Sequence, residues 1–101
     1  MSKISGLSII LPTINEAENL KKLIPQIVSK VSELSIPMFE VIIVDDGSTD
    51  NTYELVKNLN KEFQFLQIIQ RDEEPSLPLS IWEGIQSSKY DYVLWMDADG
   101  S

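Results

Sequence analysis

Two stretches of this chain, Leu7 to Leu11 and Val41 to Val44, run through leucine, isoleucine and valine with almost no polar alternation. A strand with one wet face alternates apolar and polar residues. Continuous β-branched runs instead fit strands buried on both faces, the condition of a parallel sheet covered by helices. Two further runs, Phe65 to Ile69 and Tyr92 to Met96, read the same way. Between the first two, Leu20, Leu23, Ile24, Ile27, Val28, Val31 and Leu34 repeat at three- and four-residue steps, which predicts a helix laying one apolar stripe on the sheet. Pro25 falls inside that pattern, where a proline costs about 3 kcal/mol, so a kink or a break is expected there. A second helix should follow Asp50 as its cap and bury Tyr53, Leu55, Val56 and Leu59. A third should start from Ser76 as cap, take Leu77 and Pro78 in its first turn and run to about Ser88. Alternating strands and helices predict an α/β fold, a Rossmann-like parallel sheet with right-handed crossovers. No repeat or linker interrupts the pattern, so residues 1–101 read as one domain.

Charge and composition narrow the chemistry. Eight basic residues against sixteen acidic ones leave a net charge of -8 and no basic patch for nucleic acid. The same acidity would repel a bare pyrophosphate, so a nucleotide ligand would need a divalent cation between it and the protein. There is no cysteine and no histidine, which removes thiolate zinc sites, a cysteine nucleophile and the commonest general base. Carboxylates with a hard cation, Mg2+ or Mn2+, are the chemistry that remains. The apolar run after Lys3 lacks a signal-peptide pattern and no run approaches the roughly 18 residues of a membrane span, so this piece is expected to be cytoplasmic.

In open parallel sheets ligands bind beyond the carboxyl ends of the strands. Each apolar run is followed there by polar residues: Pro12, Thr13, Asn15 and Glu16; Asp45 to Asp50; Arg71 and Asp72; and Asp97 with Asp99. Asp97 and Asp99 flank one alanine on an extended segment, so one carboxylate can ligate a cation while the other meets a ribose or a metal-bound water. An Asp-x-Asp is also a common turn, and its position directly after Val93 to Met96 is what favours the ligand reading. Asp45 and Asp46 end a buried strand, so at least one must be desolvated and needs an arginine or a ligand N–H as partner. Gly47 to Asp50 are accounted for by a turn and a helix cap, and Glu16 alone by an acidic first helical turn. Arg71, the sole arginine, is a candidate partner for Asp46 or a nucleotide, with Asp72, Glu73 and Glu74 as nearer alternatives.

Three ordered blocks then resemble family-2 glycosyltransferases of the GT-A fold, most closely the dolichyl- and polyprenyl-phosphate mannosyl- or glucosyltransferases. The blocks are Ile9 to Leu20, Val41 to Thr52 and Tyr92 to Asp99. The resemblance implies that Pro12, Ile14 and Glu16 line a nucleotide pocket, that Val44 and Asp46 contact the base, and that Arg71 lies near it. It implies that Asp97 and Ala98 touch ribose and phosphates, with Asp99 as chief metal ligand beside Asp97. The activity implied is metal-dependent, inverting transfer of a hexose from a UDP- or GDP-linked donor. The acceptor would be a polyprenyl or dolichyl phosphate or a glycan, at the cytoplasmic face of a membrane. Any catalytic base would lie beyond Ser101, which makes the chain an N-terminal piece expected to lack transfer activity by itself. Ile14 stands where the family usually has an aromatic, and Glu74 to Ser80 replaces a glycine-rich turn.

Two other classes bear comparison. A nucleotide-sugar-binding fragment without transfer activity keeps the pocket alone. A phosphoacceptor receiver domain also has a parallel sheet and an acidic pair, but its acidic pair follows the first strand and its phosphorylated aspartate the third. Here the third run ends in Gln70 and Arg71 and the pair follows the second.

Overall fold

The computed structural model describes residues 4–98. Seven elements alternate without exception: β1 (Gly6–Thr13), α1 (Ala17–Glu33), β2 (Met38–Asp45), α2 (Thr52–Asn60), β3 (Leu66–Gln70), α3 (Leu77–Ser87) and β4 (Tyr92–Trp95). The four strands form one parallel sheet in the order β3-β2-β1-β4. The chain therefore builds outward from β1 to β3 and then crosses back to place β4 on the other side of β1. That reversal makes the gap between the carboxyl ends of β1 and β4 the switch point of the sheet.

The two central strands are buried on both faces, as their composition predicts. Ile9, Leu11, Val41 and Ile43 face α1 and α2 and pack with Leu20, Ile24, Ile27, Val31 and Val56. Ile10, Ile42 and Val44 form the opposite layer beneath α3. Each fully buried side chain of this size contributes about 1.5–3 kcal/mol of transfer free energy. The α3 helix approaches closely because Gly84 lies against Ile10; an added Cβ would come within 2.6 Å of Ile10 Cγ2.

Several expectations are corrected. Pro25 does not break α1, which is continuous from Ala17 to Glu33. The ring sits on the exposed side, so the carbonyl it leaves without an N–H donor can turn to water. Leu34, the last member of the predicted stripe, lies past the helix and is 63% exposed. In α2 only Thr52 and Val56 are buried, with Tyr53, Leu55 and Leu59 half-buried, because α2 rests over the β3 edge of the sheet. The outer strands are not covered on both faces as the apolar runs suggested: β3 is partly exposed and all four residues of β4 are exposed. Both are edge strands, and composition alone does not distinguish an edge from a centre. The α3 expectation holds, with Ser76 Oγ accepting the Leu79 N–H at 3.2 Å.

Candidate functional site

A parallel sheet sends every strand-to-helix loop to one edge, so the four polar clusters converge there. The first two loops are tied to each other. Asn15, in the left-handed region at φ 54°, accepts the N–H groups of Thr49 at 2.7 Å and Asp50 at 3.0 Å, while its own N–H donates to Ser48 Oγ at 2.8 Å. Asp50 answers by accepting the Ala17 N–H at 3.3 Å and the Thr52 N–H at 3.0 Å. It thus serves the first turns of two helices, although the formal cap position of α2 is Asn51, whose side chain makes no capping bond. The Thr52 hydroxyl is the main cause of a carboxyl pKa below the ordinary value at Asp50, with the Thr52 and Ala17 amides adding to it and desolvation opposing. The crossing is tight because Gly47, at φ 102°, makes a turn few other residues tolerate.

Asp45 and Asp46 are both buried, and they have different partners. Asp45 accepts Thr13 Oγ1 at 2.9 Å and the Ser48 N–H at 3.1 Å, joining the end of β1 to the loop after β2. Asp46 pairs with Arg71 and accepts the Ser76 N–H at 2.7 Å on its other oxygen. Of the alternatives for Arg71, the structure selects Asp46 as the buried partner. Arg71 also donates to the Glu74 carbonyl at 3.2 Å and has Glu73 and Glu83 carboxylates at 3.5 Å, both far more exposed. Among the described residues the buried Arg71 Nε has no hydrogen-bond partner.

In front of Asp46 lies a cavity of about 230 Å³ lined by Pro12, Thr13, Ile14, Asp46, Pro75, Ser76 and Leu77. Of the candidate site residues, Pro12, Ile14 and Asp46 meet there, and Arg71 stands behind Asp46. Ile14 is 48% exposed and presents an apolar surface at the rim. Val44 does not line the cavity; its side chain is fully buried among Ile10, Ile42 and Ile69. Glu16 precedes α1 and accepts Asn19 Nδ2 at 2.9 Å, outside the cavity wall. Pro75, Ser76 and Leu77 complete the wall, and nothing in their spacing shows it, because it is the Ser76 N–H bound to Asp46 that draws their loop inward.

The fourth cluster arrives on β4. The Met96 N–H donates to the Ile10 carbonyl at 3.1 Å, continuing the ladder and bringing Asp97 to the carboxyl end of β1. Asp97 is exposed, whereas Ala98 is buried in the core layer under α1. Asp99 lies outside the described residues. Among the described residues no three acidic side chains gather closely enough to enclose a metal. An exposed carboxylate at this edge fits Mg2+ or Mn2+, which take few protein ligands and complete their shell with phosphates and water.

This parallel sheet, whose strand order reverses between β1 and β4, is a Rossmann-like α/β fold of the GT-A type. The chain belongs to glycosyl transferase family 2, whose profile matches residues 8–101. Dolichol-phosphate mannosyltransferase of Pyrococcus furiosus is 33% identical over 93 residues, covering 92% of this chain and 25% of that protein. Poly-beta-1,6-N-acetyl-D-glucosamine synthase of Staphylococcus epidermidis is 34% identical over 100 residues, covering 96% and 22%. Among solved structures, the mannosyltransferase PcManGT of Pyrobaculum calidifontis in complex with GDP-Man and Mn2+ superposes with a TM-score of 0.80 at 21% identity, covering 98% of this chain and 28% of that one. The chain thus spans about a quarter of the length of these relatives.

Proposed function

We propose that this chain is the donor-binding part of an inverting, metal-dependent glycosyltransferase that moves a hexose from a nucleoside-diphosphate sugar. The observation that carries the reading is the cavity at the sheet's carboxyl edge, with the buried Asp46–Arg71 pair at its back and Asp97 arriving beside β1. The base enters between Pro12, Ile14 and Leu77, where apolar walls take its faces, and Asp46 offers acceptor lone pairs to its N–H edge. Arg71 holds that carboxylate in one orientation, so its lone pairs are aimed before the ligand arrives. Asp97 and Asp99 take the ribose and diphosphate and are the protein's metal ligands, while Ala98, its side chain buried in the core, offers only its backbone. A bound Mg2+ or Mn2+ supplies neutralisation of the charge that collects on the departing diphosphate. In the transfer, the bond from the anomeric carbon to the diphosphate oxygen breaks as an acceptor oxygen bonds from the opposite face. The acceptor is a polyprenyl or dolichyl phosphate or a glycan; the two named relatives, one of each kind, match at nearly equal identity. With a lipid acceptor the reaction would take place at a membrane surface, on this reading its cytoplasmic face; no helix of the described residues is long and apolar enough to cross a membrane.

Calorimetric titration of the chain with UDP and with GDP, in Mn2+ and in chelator, tests this reading. One nucleotide should bind in Mn2+ only, and Asp99→Ala should abolish that binding. A folded chain that binds neither nucleotide in either condition contradicts it.

A further inference from the structure

The sheet carries Asp97 and Ala98 to the site on its least supported strand. Among the described residues β4 has a neighbour on one side only, four residue pairs with β1 from Leu7↔Tyr92 to Ile10↔Trp95. Its side chains are 39–52% exposed. Tyr92, Val93, Leu94 and Trp95 are all large and apolar, so hydrophobic patterning does not choose between one register and the next. A slip of one residue would nonetheless move Asp97 by about 3.3 Å and exchange the two faces of the strand.

A buried polar cluster at the opposite end of the sheet makes that choice. Glu40 on β2 is 3% exposed and Ser8 on β1 is fully buried. The Ser8 hydroxyl donates to Glu40 Oε2 at 2.6 Å, and the Lys89 N–H donates to the same oxygen at 2.7 Å. The Tyr90 N–H donates to Ser8 Oγ at 3.3 Å, and Gln67 Nε2 on β3 donates to Glu40 Oε1 at 3.0 Å. The Tyr90 ring lies over Gly6, where an added Cβ would meet Tyr90 Cδ1 at 2.5 Å. A buried carboxylate is tolerated only with its donors in place. A slipped β4 would withdraw both backbone donors from this cluster.

We propose that Glu40 is a positioning residue: with Ser8 it grips the Lys89–Tyr90 turn and sets the register of β4, and so places Asp97 and Ala98 at the end of β1. The register claim stands on the geometry alone; its consequence for ligand binding rests on the donor-site reading above. Glu40 acts as an acceptor here, so Glu40→Gln should preserve the function: its oxygen faces Ser8 and Lys89, and the Gln67 amide turns to accept from its nitrogen. Glu40→Leu fills the space and accepts nothing.

Amide-to-amide NOEs between β1 and β4 read the register directly. We expect the wild-type pattern in Glu40→Gln and its loss or displacement in Glu40→Leu, with Mn2+-dependent nucleotide affinity falling about 10-fold in Glu40→Leu and less than about 2-fold in Glu40→Gln. Native register in a folded Glu40→Leu overturns the proposal, as does equal loss in both variants. Should Glu40→Leu fail to fold, hydrogen exchange on the unaltered chain decides: the Lys89 and Tyr90 amides should exchange slowly, and exchange as fast as in an exposed turn overturns it. A wild-type chain that binds no nucleotide counts against the donor site, while the NOEs and exchange still settle the register.

Discussion

Asp46 has one oxygen held by Arg71 and the other by the Ser76 N–H, and the pair is nearly out of solvent, with side chains 6% and 1% exposed. Burying both charges costs several kcal/mol each, so the intact pair contributes little net stability. Its orphaned half is the expensive state. Arg71→Met keeps much of the volume but leaves a buried carboxylate with a single backbone donor, and should cost about 3–5 kcal/mol in urea unfolding. The double variant Asp46→Asn with Arg71→Met removes the charge as well as its partner and should recover a large part of that loss, because contacting sites couple. A single-variant loss below about 1 kcal/mol would mean that Asp46 does not depend on Arg71 for its solvation. The sequence exposed this pair only as one option among several, since Arg71 has three acidic neighbours within three positions. What selects Asp46 is the register of β3 on β2, which sets Asp45 opposite Gln70 and brings the next residue of each strand together.

At the scale of elements, the strands and helices were legible in the sequence because their signals are local: largely apolar runs for β1 and β2, a stripe for α1, a Ser76 cap with Pro78 for α3. Edge or centre was not legible, since that depends on which strands pair. Neither was the tolerance of Pro25, which depends on the side of α1 that meets water. The seating of α3 shows the same limit. Gly84 lies mid-helix, where replacement by alanine ordinarily adds up to about 1 kcal/mol of stability. Here the new Cβ would sit 2.6 Å from Ile10 Cγ2 and 2.9 Å from Cγ1, atoms of a β-branched side chain fixed in a fully buried strand. Overpacking of this kind costs about 1–3 kcal/mol and outweighs the gain in propensity. Gly84→Ala should therefore lower the thermal midpoint, whereas an alanine at the exposed Gln86 of the same helix should leave it unchanged or raise it. A raised midpoint in Gly84→Ala would show that α3 can lift off the sheet at no cost.

For the molecule as a whole, the two sheet edges are unlike. The β3 edge carries Gln67 and Gln70 with α2 alongside, whereas β4 exposes Tyr92, Val93, Leu94 and Trp95. Beside β4 an apolar groove of about 310 Å³ runs along α1, walled by Leu7, Leu23, Ile27, Leu34, Leu94 and Met96. An apolar edge with unpaired backbone groups is a template for another strand. The net charge of -8 opposes contact between copies of the 101-residue chain, so two forces compete. Salt separates them, because raising ionic strength from 0.1 M to 1 M shortens the screening length from about 10 Å to about 3 Å and leaves apolar burial intact. Light scattering of the 101-residue chain should show association that rises with both concentration and salt. Val93→Lys puts a charge on the exposed edge, where surface substitutions usually stay within about 0.5 kcal/mol, and should return the chain to a monomer without lowering its thermal midpoint. Association that weakens with salt would assign the contact to charged surfaces instead, and a monomer at every salt concentration would mean that the edge of β4 is not available for pairing.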